Sequence, residues 1–200
     1  MPGASATLSP PLLLLAMPQE LDPVFHRSVV QLVRHEEEGS LGFIVNRPTG
    51  IKVHEILKGM EVEWRGREAA VAYFGGPVQP NLGTVLFGPS SPEAGEEFEG
   101  EAASEVLAGV SLTQHVGDLS RLAESPPERF RLFLGYAGWG SGQLIEEILR
   151  NDWLTAPARG DLIFAPDPDR VWSAALASVG VDPATLPSWT PSGNGEETAN

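Results

Sequence analysis

The chain has 200 residues, of which 42% are hydrophobic, and this is enough for one domain with a single core. It contains no cysteine, which excludes disulfides, iron–sulfur clusters, thiolate zinc sites and cysteine nucleophiles. Because 27 acidic residues stand against 13 basic ones and the formal charge is −14, the average surface potential repels nucleic acids and anionic membranes.

The first apolar run, PLLLLAMP at residues 11–18, predicts a buried strand. A secretory signal is disfavoured because the first basic residue, Arg27, follows the run, and because prolines close the run at both ends. No apolar segment approaches the ~20 residues that a membrane helix needs. We therefore expect a soluble, cytoplasmic protein that makes no contact with membranes.

The following segments alternate between strand and helix patterns. The apolar, β-branched runs Ser28–Arg34 and Leu41–Arg47 are separated by an acidic turn and predict a hairpin. Val53–Leu57 carries a short helical apolar face ahead of a glycine. The runs AVAYFGGP and GTVLFG, residues 70–77 and 83–88, predict two strands joined by a Gly-Gly-Pro turn.

The middle of the chain begins with a segment that has almost no apolar periodicity. Pro89–Glu101 is rich in proline, glycine, serine and acids, and it predicts a surface loop. Glu105–Leu112 then predicts a strand, and the three-residue apolar spacing in Val116–Leu122 predicts a helix that ends before Pro126. Phe130–Leu134 predicts the next strand.

A glycine-rich stretch, GYAGWGSGQ at residues 135–143, follows this strand and predicts a tight turn from strand to helix. Ser141 is the expected N-cap, because its hydroxyl can accept a hydrogen bond from a first-turn amide. The helix itself has its apolar face within Leu144–Leu149, and we expect Glu146 and Glu147 to be more exposed.

The last helix has clearer end signals. Asp167 is expected as its N-cap, Pro168 as its first residue and Gly180 as its end. No linker and no internal repeat divides the chain. We therefore predict one domain over residues 10–187, with flexible tails at 1–9 and 188–200.

The spacing within the glycine-rich stretch does not fit the phosphate or nucleophile motifs that it resembles. A dinucleotide fingerprint needs a third glycine where the chain has Gln143. A Walker loop needs a lysine at the start of the helix, but the two lysines are Lys52 and Lys58. A nucleophile elbow around Ser141 needs glycines where Trp139 and Gln143 stand. A short anion at the helix N-terminus stays possible, but we favour a structural turn.

The histidines do not have the spacing of metal ligands. His26, His35, His54 and His115 are 9, 19 and 61 residues apart, so no pair lies on one helical face. A carboxylate site for magnesium or calcium stays open, although no calcium-loop pattern is present. We predict no metal site, no cofactor and no catalytic residue.

Four segments closely resemble the YqgE/AlgH family of bacterial proteins: LLLAMPQELDPVFHRSVVQL, GFIVNRP, FGGPV and LGYAGWGSGQLIEEILRNDWL. The resemblance runs from Leu13 to Val181, and its most specific part is the last segment. The family commonly has a glutamate directly after GQL, whereas this chain has Ile145 followed by two glutamates. Any role of that first glutamate in the family therefore does not transfer to this position.

The resemblance implies an α/β fold of the α+β type. The expected sheet is mixed and bifurcated, with part of it curled into a small barrel, and helices pack around it in a single domain. One branch of the family carries the label of a transcriptional regulator of alginate production. The resemblance supplies no catalytic residues, so it indicates the fold more than the function.

We expect a non-catalytic binding or regulatory protein whose partner is another protein or a small-molecule ligand. In this interpretation Asn46 and Gln143 orient a ligand by hydrogen bonds, Arg47 meets an anion and Trp139 covers an apolar face. The candidate residues come from the loops that carry the family motifs: Asn46, Arg47, Pro48, Gly75, Gly76, Pro77, Tyr136, Gly138, Trp139, Gly140 and Gln143.

Two alternatives stay open. An enzyme acting on a small phosphorylated or nucleotide substrate would use the same loops, but it lacks an evident base or nucleophile. A regulator that binds DNA directly would need a basic patch, and the net charge and the lack of a readable recognition helix argue against it. The residues available for such a patch are Arg65, Arg67, Arg121, Arg129 and Arg131.

Overall fold

The computed structural model describes residues 8–18, 22–89 and 102–187. Its strands are β1 (Leu12–Ala16), β2 (Val29–Glu36), β3 (Gly39–Ile44), β4 (Pro48–Lys52), β5 (Val71–Phe74), β6 (Val78–Phe87), β7 (Ser104–Leu107), β8 (Val110–Thr113), β9 (Phe130–Gly140) and β10 (Trp153–Pro157). Its helices are α1 (Val53–Lys58), α2 (Val116–Glu124), α3 (Gln143–Leu149), α4 (Gly160–Ile163) and α5 (Pro168–Ser178), followed by a 3-10 turn at Pro183–Thr185. The predicted loop after Pro89 and most of both predicted tails lie outside the described residues.

Strand β9 is the branch point of the sheet, whose strand order is β10-β1-β2-β3-β9-β6-β8-β7. At Phe133 and Leu134, β9 pairs antiparallel with β6 and parallel with β5, so these two neighbours lie on opposite sides of it. Its second half, Ala137–Gly140, pairs with Gly39–Gly42 of β3. The sheet is therefore mixed and bifurcated, and it curls into a half-barrel within a single domain, as the family resemblance implies.

The helices cover this sheet through their apolar faces. Helix α5 contributes Val171, Trp172 and Leu176 to a cluster with β1 and β2, and α3 contributes Leu144 to a second cluster on Trp153. Helices α1 and α2 share a third cluster with β6 and β9. The predicted hairpin of β2 and β3, and the predicted helices α1, α2 and α5, are confirmed. In the described ranges no helix is long and apolar enough to cross a membrane.

The predicted tight turn from strand to helix is present, but it is confined to the end of the glycine-rich stretch. Strand β9 continues as far as Gly140, and only Ser141 and Gly142 turn into α3. Ala137 and Trp139 are buried while Gly138 is exposed, which is the two-residue alternation of a strand. The N-cap is Gly142, with φ +72°, and the predicted cap Ser141 is exposed.

One further prediction about strands needs correction, one is confirmed, and two strands were not expected. The strand expected at Glu105–Leu112 is a hairpin, β7 and β8, which turns at Gly109 with φ +69°. The two strands predicted on either side of the Gly-Gly-Pro turn, β5 and β6, are confirmed, and each of them pairs with β9. Strands β4 and β10 were not expected, since each is short and β4 begins with a proline.

Three glycines let two backbones approach closely where β9 changes neighbours. A Cβ atom on Gly75 would lie 2.2 Å from the carbonyl oxygen of Gly135, and one on Gly76 would lie 2.2 Å from the carbonyl carbon of Tyr136. Gly135 has φ +69° and a Cβ there would lie 2.4 Å from the carbonyl oxygen of Gly76. We call this contact the glycine crossing. No residue with a side chain fits here without displacing backbone.

Gly75→Ala is therefore expected to lower the free energy of unfolding by about 2–4 kcal/mol, because its methyl group must displace backbone. Gly83→Ala is the matched control, since Gly83 also lies in this part of the sheet and its nearest neighbour would be 3.8 Å from the new methyl group. Urea unfolding measures both changes. Equal midpoints for Gly75→Ala and the unsubstituted protein would contradict the glycine crossing.

Candidate functional site

A cleft of about 340 Å³ lies over the β2–β3 hairpin and the second half of β9. Gly39 and Gly138 form part of its lining, where the absence of side chains leaves backbone exposed to the cleft. Leu41, Val78 and Tyr136 line the apolar part. The volume falls within the range of small-ligand pockets, about 300–1,000 Å³.

The cleft borders a free edge of the sheet. Strand β6 leaves β9 after the pair Val78 and Tyr136, and no strand among the described residues pairs with β9 beyond that point on this side. The N–H of Gly140 donates to Oε1 of Gln143 at 3.0 Å, which places it on the side away from β3. Backbone groups of alternate residues face the same side, so those of Gly138 also face the free edge.

The rim of the cleft is charged and mainly acidic. Arg34, Glu36 and Glu38 line it, giving two carboxylates against one guanidinium. Arg34 and Glu36 are 3.9 Å apart and both are more than half exposed, so their ion pair contributes little to stability. The rim therefore favours a cationic group on a ligand.

Ser40 and His35 are the two polar side chains at the cleft that most resemble a nucleophile and its base. They face each other across the β2–β3 hairpin, with 2.7 Å between Ser40 Oγ and His35 Nδ1, and Ser40 lines the cleft. Ser40 is only 7% exposed, and no carboxylate in the described residues bonds to the His35 ring. A catalytic triad needs such a third group to orient the ring. The pair has the form of an ordinary cross-strand hydrogen bond.

Glu147 on α3 ties the glycine-rich strand to its neighbours. Its Oε2 accepts hydrogen bonds from Nε1 of Trp139 and of Trp153, each at 2.8 Å. Its Oε1 accepts a bond from Nε2 of Gln143 at 2.9 Å. Both indole rings are buried and the carboxylate is half-buried, so the expectation that Glu147 is among the more exposed residues is corrected. Leu149, expected on the apolar face, is 75% exposed.

Asn46 and Arg47 lie at a different place from the cleft residues. Asn46 Oδ1 accepts from the N–H of Val29 at 2.9 Å, and its Nδ2 donates to the carbonyl of Arg27 at 3.0 Å. The Arg47 guanidinium donates to the carbonyl of His26. Both side chains thus hold the segment before β2, and they do not line the cleft.

The structure divides the predicted site residues into three groups. Tyr136, Gly138 and Trp139 line the cleft, while Gly140 and Gln143 lie at the end of its free edge. Gly75 and Gly76 belong to the glycine crossing, and Asn46 and Arg47 support the segment before β2. Pro48 begins β4, and Pro77 precedes β6. The binding roles predicted for all of these residues stay predictions.

Three residues at or beside the cleft were not predicted from the sequence: Glu147, Ser40 and Leu41. The four-residue spacing of Gln143 and Glu147 places them on one face of a helix, and this was the available signal for Glu147. Ser40 and Leu41 carried no signal, because their proximity to β9 comes from strand pairing. In the described ranges, no group of three or more His, Asp or Glu side chains is placed to hold a metal ion.

A family model described as AlgH-like matches residues 13–184. The chain belongs to the AlgH-like family. A UPF0301 protein of Myxococcus xanthus is 38% identical to it over 177 residues, which covers 88% of this AlgH-like chain and 93% of the relative. A UPF0301 protein of Thioalkalivibrio sulfidiphilus is 40% identical over 171 residues, which covers 84% of this chain and 88% of the relative.

Solved structures are also similar to this AlgH-like chain. The solution structure of the AlgH protein from Pseudomonas aeruginosa has a TM-score of 0.70 and 34% identity, covering 88% of this chain and 94% of that one. A crystal structure of a Corynebacterium diphtheriae protein also has a TM-score of 0.70 at 22% identity, covering 85% and 86%, and supports the fold alone. Family and fold are confirmed, whereas these names state no activity.

Glu147→Leu is expected to lower the free energy of unfolding by about 2–4 kcal/mol, because two buried indole N–H groups lose their acceptor. Glu147→Gln keeps one acceptor oxygen and should cost less. Glu146→Ala is the control: this neighbour is exposed, and its change should stay within about 0.5 kcal/mol. Urea unfolding followed by tryptophan fluorescence measures all three. Equal effects of the substitutions at the two glutamates would contradict the role given to Glu147.

Proposed function

We propose that this AlgH-like chain is a non-catalytic binding protein, and that its ligand is an extended segment of another protein. The segment adds to the free edge of β9 at Gly138, beside the cleft. One observation carries this proposal: among the described residues, β9 has a strand partner on one side only over Ala137–Gly140. An unpaired strand edge presents N–H and C=O groups that can bind a further strand.

The surroundings of this edge indicate what kind of segment fits. Gly138 has no side chain, so an incoming backbone can come close to the strand. Leu41, Val78 and Tyr136 offer an apolar surface to alternate side chains of the segment. Glu36 and Glu38 on the rim favour a Lys or Arg at its end. The proposed partner is therefore an extended peptide with alternating apolar side chains and a basic residue.

The catalytic alternative has less support. The pair of Ser40 and His35 most resembles a nucleophile and a base, but none of the carboxylates that the structure describes bonds to the His35 ring, as a triad requires. The DNA-binding alternative loses one of its basic residues, because Arg131 is buried, donates to the carbonyls of Val45 and Ala165, and stacks 4.1 Å from the centre of the Tyr73 ring. Arg65 is paired with Glu63.

Peptides selected from a phage-displayed random library should bind the protein, and Gly138→Val should weaken that binding at least about tenfold. The added Cβ lies 3.2 Å from the Tyr136 ring and 3.5 Å from a Val78 methyl group, so valine covers the apolar surface that a side chain of the bound segment needs. The φ of Gly138 is not left-handed, so the variant is expected to fold. Fluorescence anisotropy of the selected peptides measures the affinity.

Gly83→Val is the matched control, because Gly83 is an exposed strand glycine in β6 whose nearest neighbour would lie 3.8 Å from the new Cβ atom. It should leave the peptide affinity unchanged. A second variant, Glu36→Gln with Glu38→Gln, should weaken binding of the basic peptides and reduce its dependence on salt. A library that yields no binder, or binders with equal affinity for Gly138→Val and Gly83→Val, would contradict the proposal.

A further inference from the structure

The free edge of β9 is closed at its far end by a side chain. The N–H of Gly140 faces this edge and donates to Oε1 of Gln143 at 3.0 Å. The amide oxygen of Gln143 thus occupies the place where the carbonyl oxygen of an added strand would accept. We propose that Gln143 sets the length of the bound segment, because it ends the binding edge at Gly138. This inference rests on the proposed function and specifies the partner.

The near end of the edge is closed by β6. Backbone groups of alternate residues face the same side of a strand, so the positions of β9 on this side are Tyr136, Gly138 and Gly140. Tyr136 is paired with Val78 of β6, and the N–H of Gly140 is bonded to Gln143. As far as the structure describes the chain, Gly138 is therefore the one position of the three that is open to an added strand.

The orientation of the Gln143 amide is fixed by its second partner. Its Nε2 donates to Oε1 of Glu147 at 2.9 Å. An ionised carboxylate only accepts, so the NH₂ group must face Glu147 and the amide oxygen must face Gly140. Glu147 is itself held by the indole N–H groups of Trp139 and Trp153, each at 2.8 Å. The amide of Gln143 is therefore held on both sides, although the residue is exposed.

An incoming segment gains little by displacing Gln143. At Gly140 a new backbone hydrogen bond would replace an existing one between neutral groups, so the exchange is close to neutral in free energy. The bond from Gln143 to Glu147 would also be disturbed. At Gly138 no bond within the described chain has to be broken first, so a new bond there adds to the affinity. The segment therefore pairs at Gly138 and leaves Gly140 bonded to Gln143.

These two closed ends limit the kind of partner. A strand rises about 3.3 Å per residue, so the distance from Tyr136 to Gly140 is about 13 Å, which leaves room for about three residues of an added segment. An edge strand of a folded sheet is usually about five or six residues long and would meet β6 at one end and Gln143 at the other. The partner is therefore a short extended segment flanked by unpaired chain, as in a loop of another protein.

Gln143→Ala tests the closure first in the free protein, by NMR-detected exchange of single amide hydrogens. It should speed the exchange of Gly140 at least about tenfold, because this N–H loses its acceptor. Trp139, whose amide faces β3, should stay slow, which shows that the strand is intact. Equal exchange of Gly140 in the unsubstituted protein and in Gln143→Ala would overturn the inference, and this result does not depend on any peptide.

Ser141→Ala is the matched control. Ser141 is an exposed neighbour in the same turn, and its hydroxyl makes no hydrogen bond within the described ranges. This substitution should leave the exchange of Gly140 and the affinity for peptides unchanged.

The phage-selected peptides then test the length limit. In the unsubstituted protein a bound peptide should protect the amide of Gly138 and leave that of Gly140 unchanged. In Gln143→Ala it should protect both, and the affinity should rise about two- to tenfold for one added backbone hydrogen bond. Peptides that bind Gln143→Ala and Ser141→Ala equally, with Gly140 unprotected, would overturn the limit set by Gln143. Peptides that bind none of the forms would instead overturn the proposed function.

Discussion

The close contact of backbone at the glycine crossing is the constraint on which the rest of the structure depends. Gly75 and Gly76 lie against Gly135 and Tyr136 at distances that leave no room for a Cβ atom. At this point the strand that pairs with one side of β9 changes from β5 to β3. On the other side of β9, the pairing with β6 ends. A side chain here would separate the two backbones, and the sheet could not branch at β9. The branch in turn creates the free edge beside the cleft.

Beyond the glycine crossing, one face of β9 is buried in the core and the other is exposed. On one face, Ala137 and Trp139 enter the core, and Glu147 holds the Trp139 indole against Trp153. On the other, Gly138 leaves the strand bare next to Tyr136. The strand is therefore fixed by its buried side chains while its exposed side stays accessible. A rigid edge of this kind loses little conformational entropy when it binds an extended segment.

Sequence patterns predicted the local features of this fold and missed those that depend on distant contacts. Helix α5 was predictable because Asp167, Pro168 and Gly180 act within their own turns. The second half of β9 was not predictable, because glycine is disfavoured in strands. The glycines of this segment are explained by the glycine crossing, which forms between residues distant in the chain. The roles of Glu147 and of buried Arg131 arise from residues far apart in the chain or on other elements. The sequence thus identified the candidate residues as a group. It did not indicate which of them line the cleft, which form the glycine crossing and which hold the segment before β2.

The most direct test of this account is the hydrogen exchange of individual backbone amides in the free protein. Within the described part of the chain, this half of β9 pairs only with β3. This predicts slow exchange for Ala137 and Trp139, whose amides face β3, and fast exchange for Gly138, whose amide faces the free edge. NMR of the isotope-labelled chain resolves these three positions. Protection of Gly138 equal to that of Trp139 would mean that the edge is already occupied, and it would contradict the account.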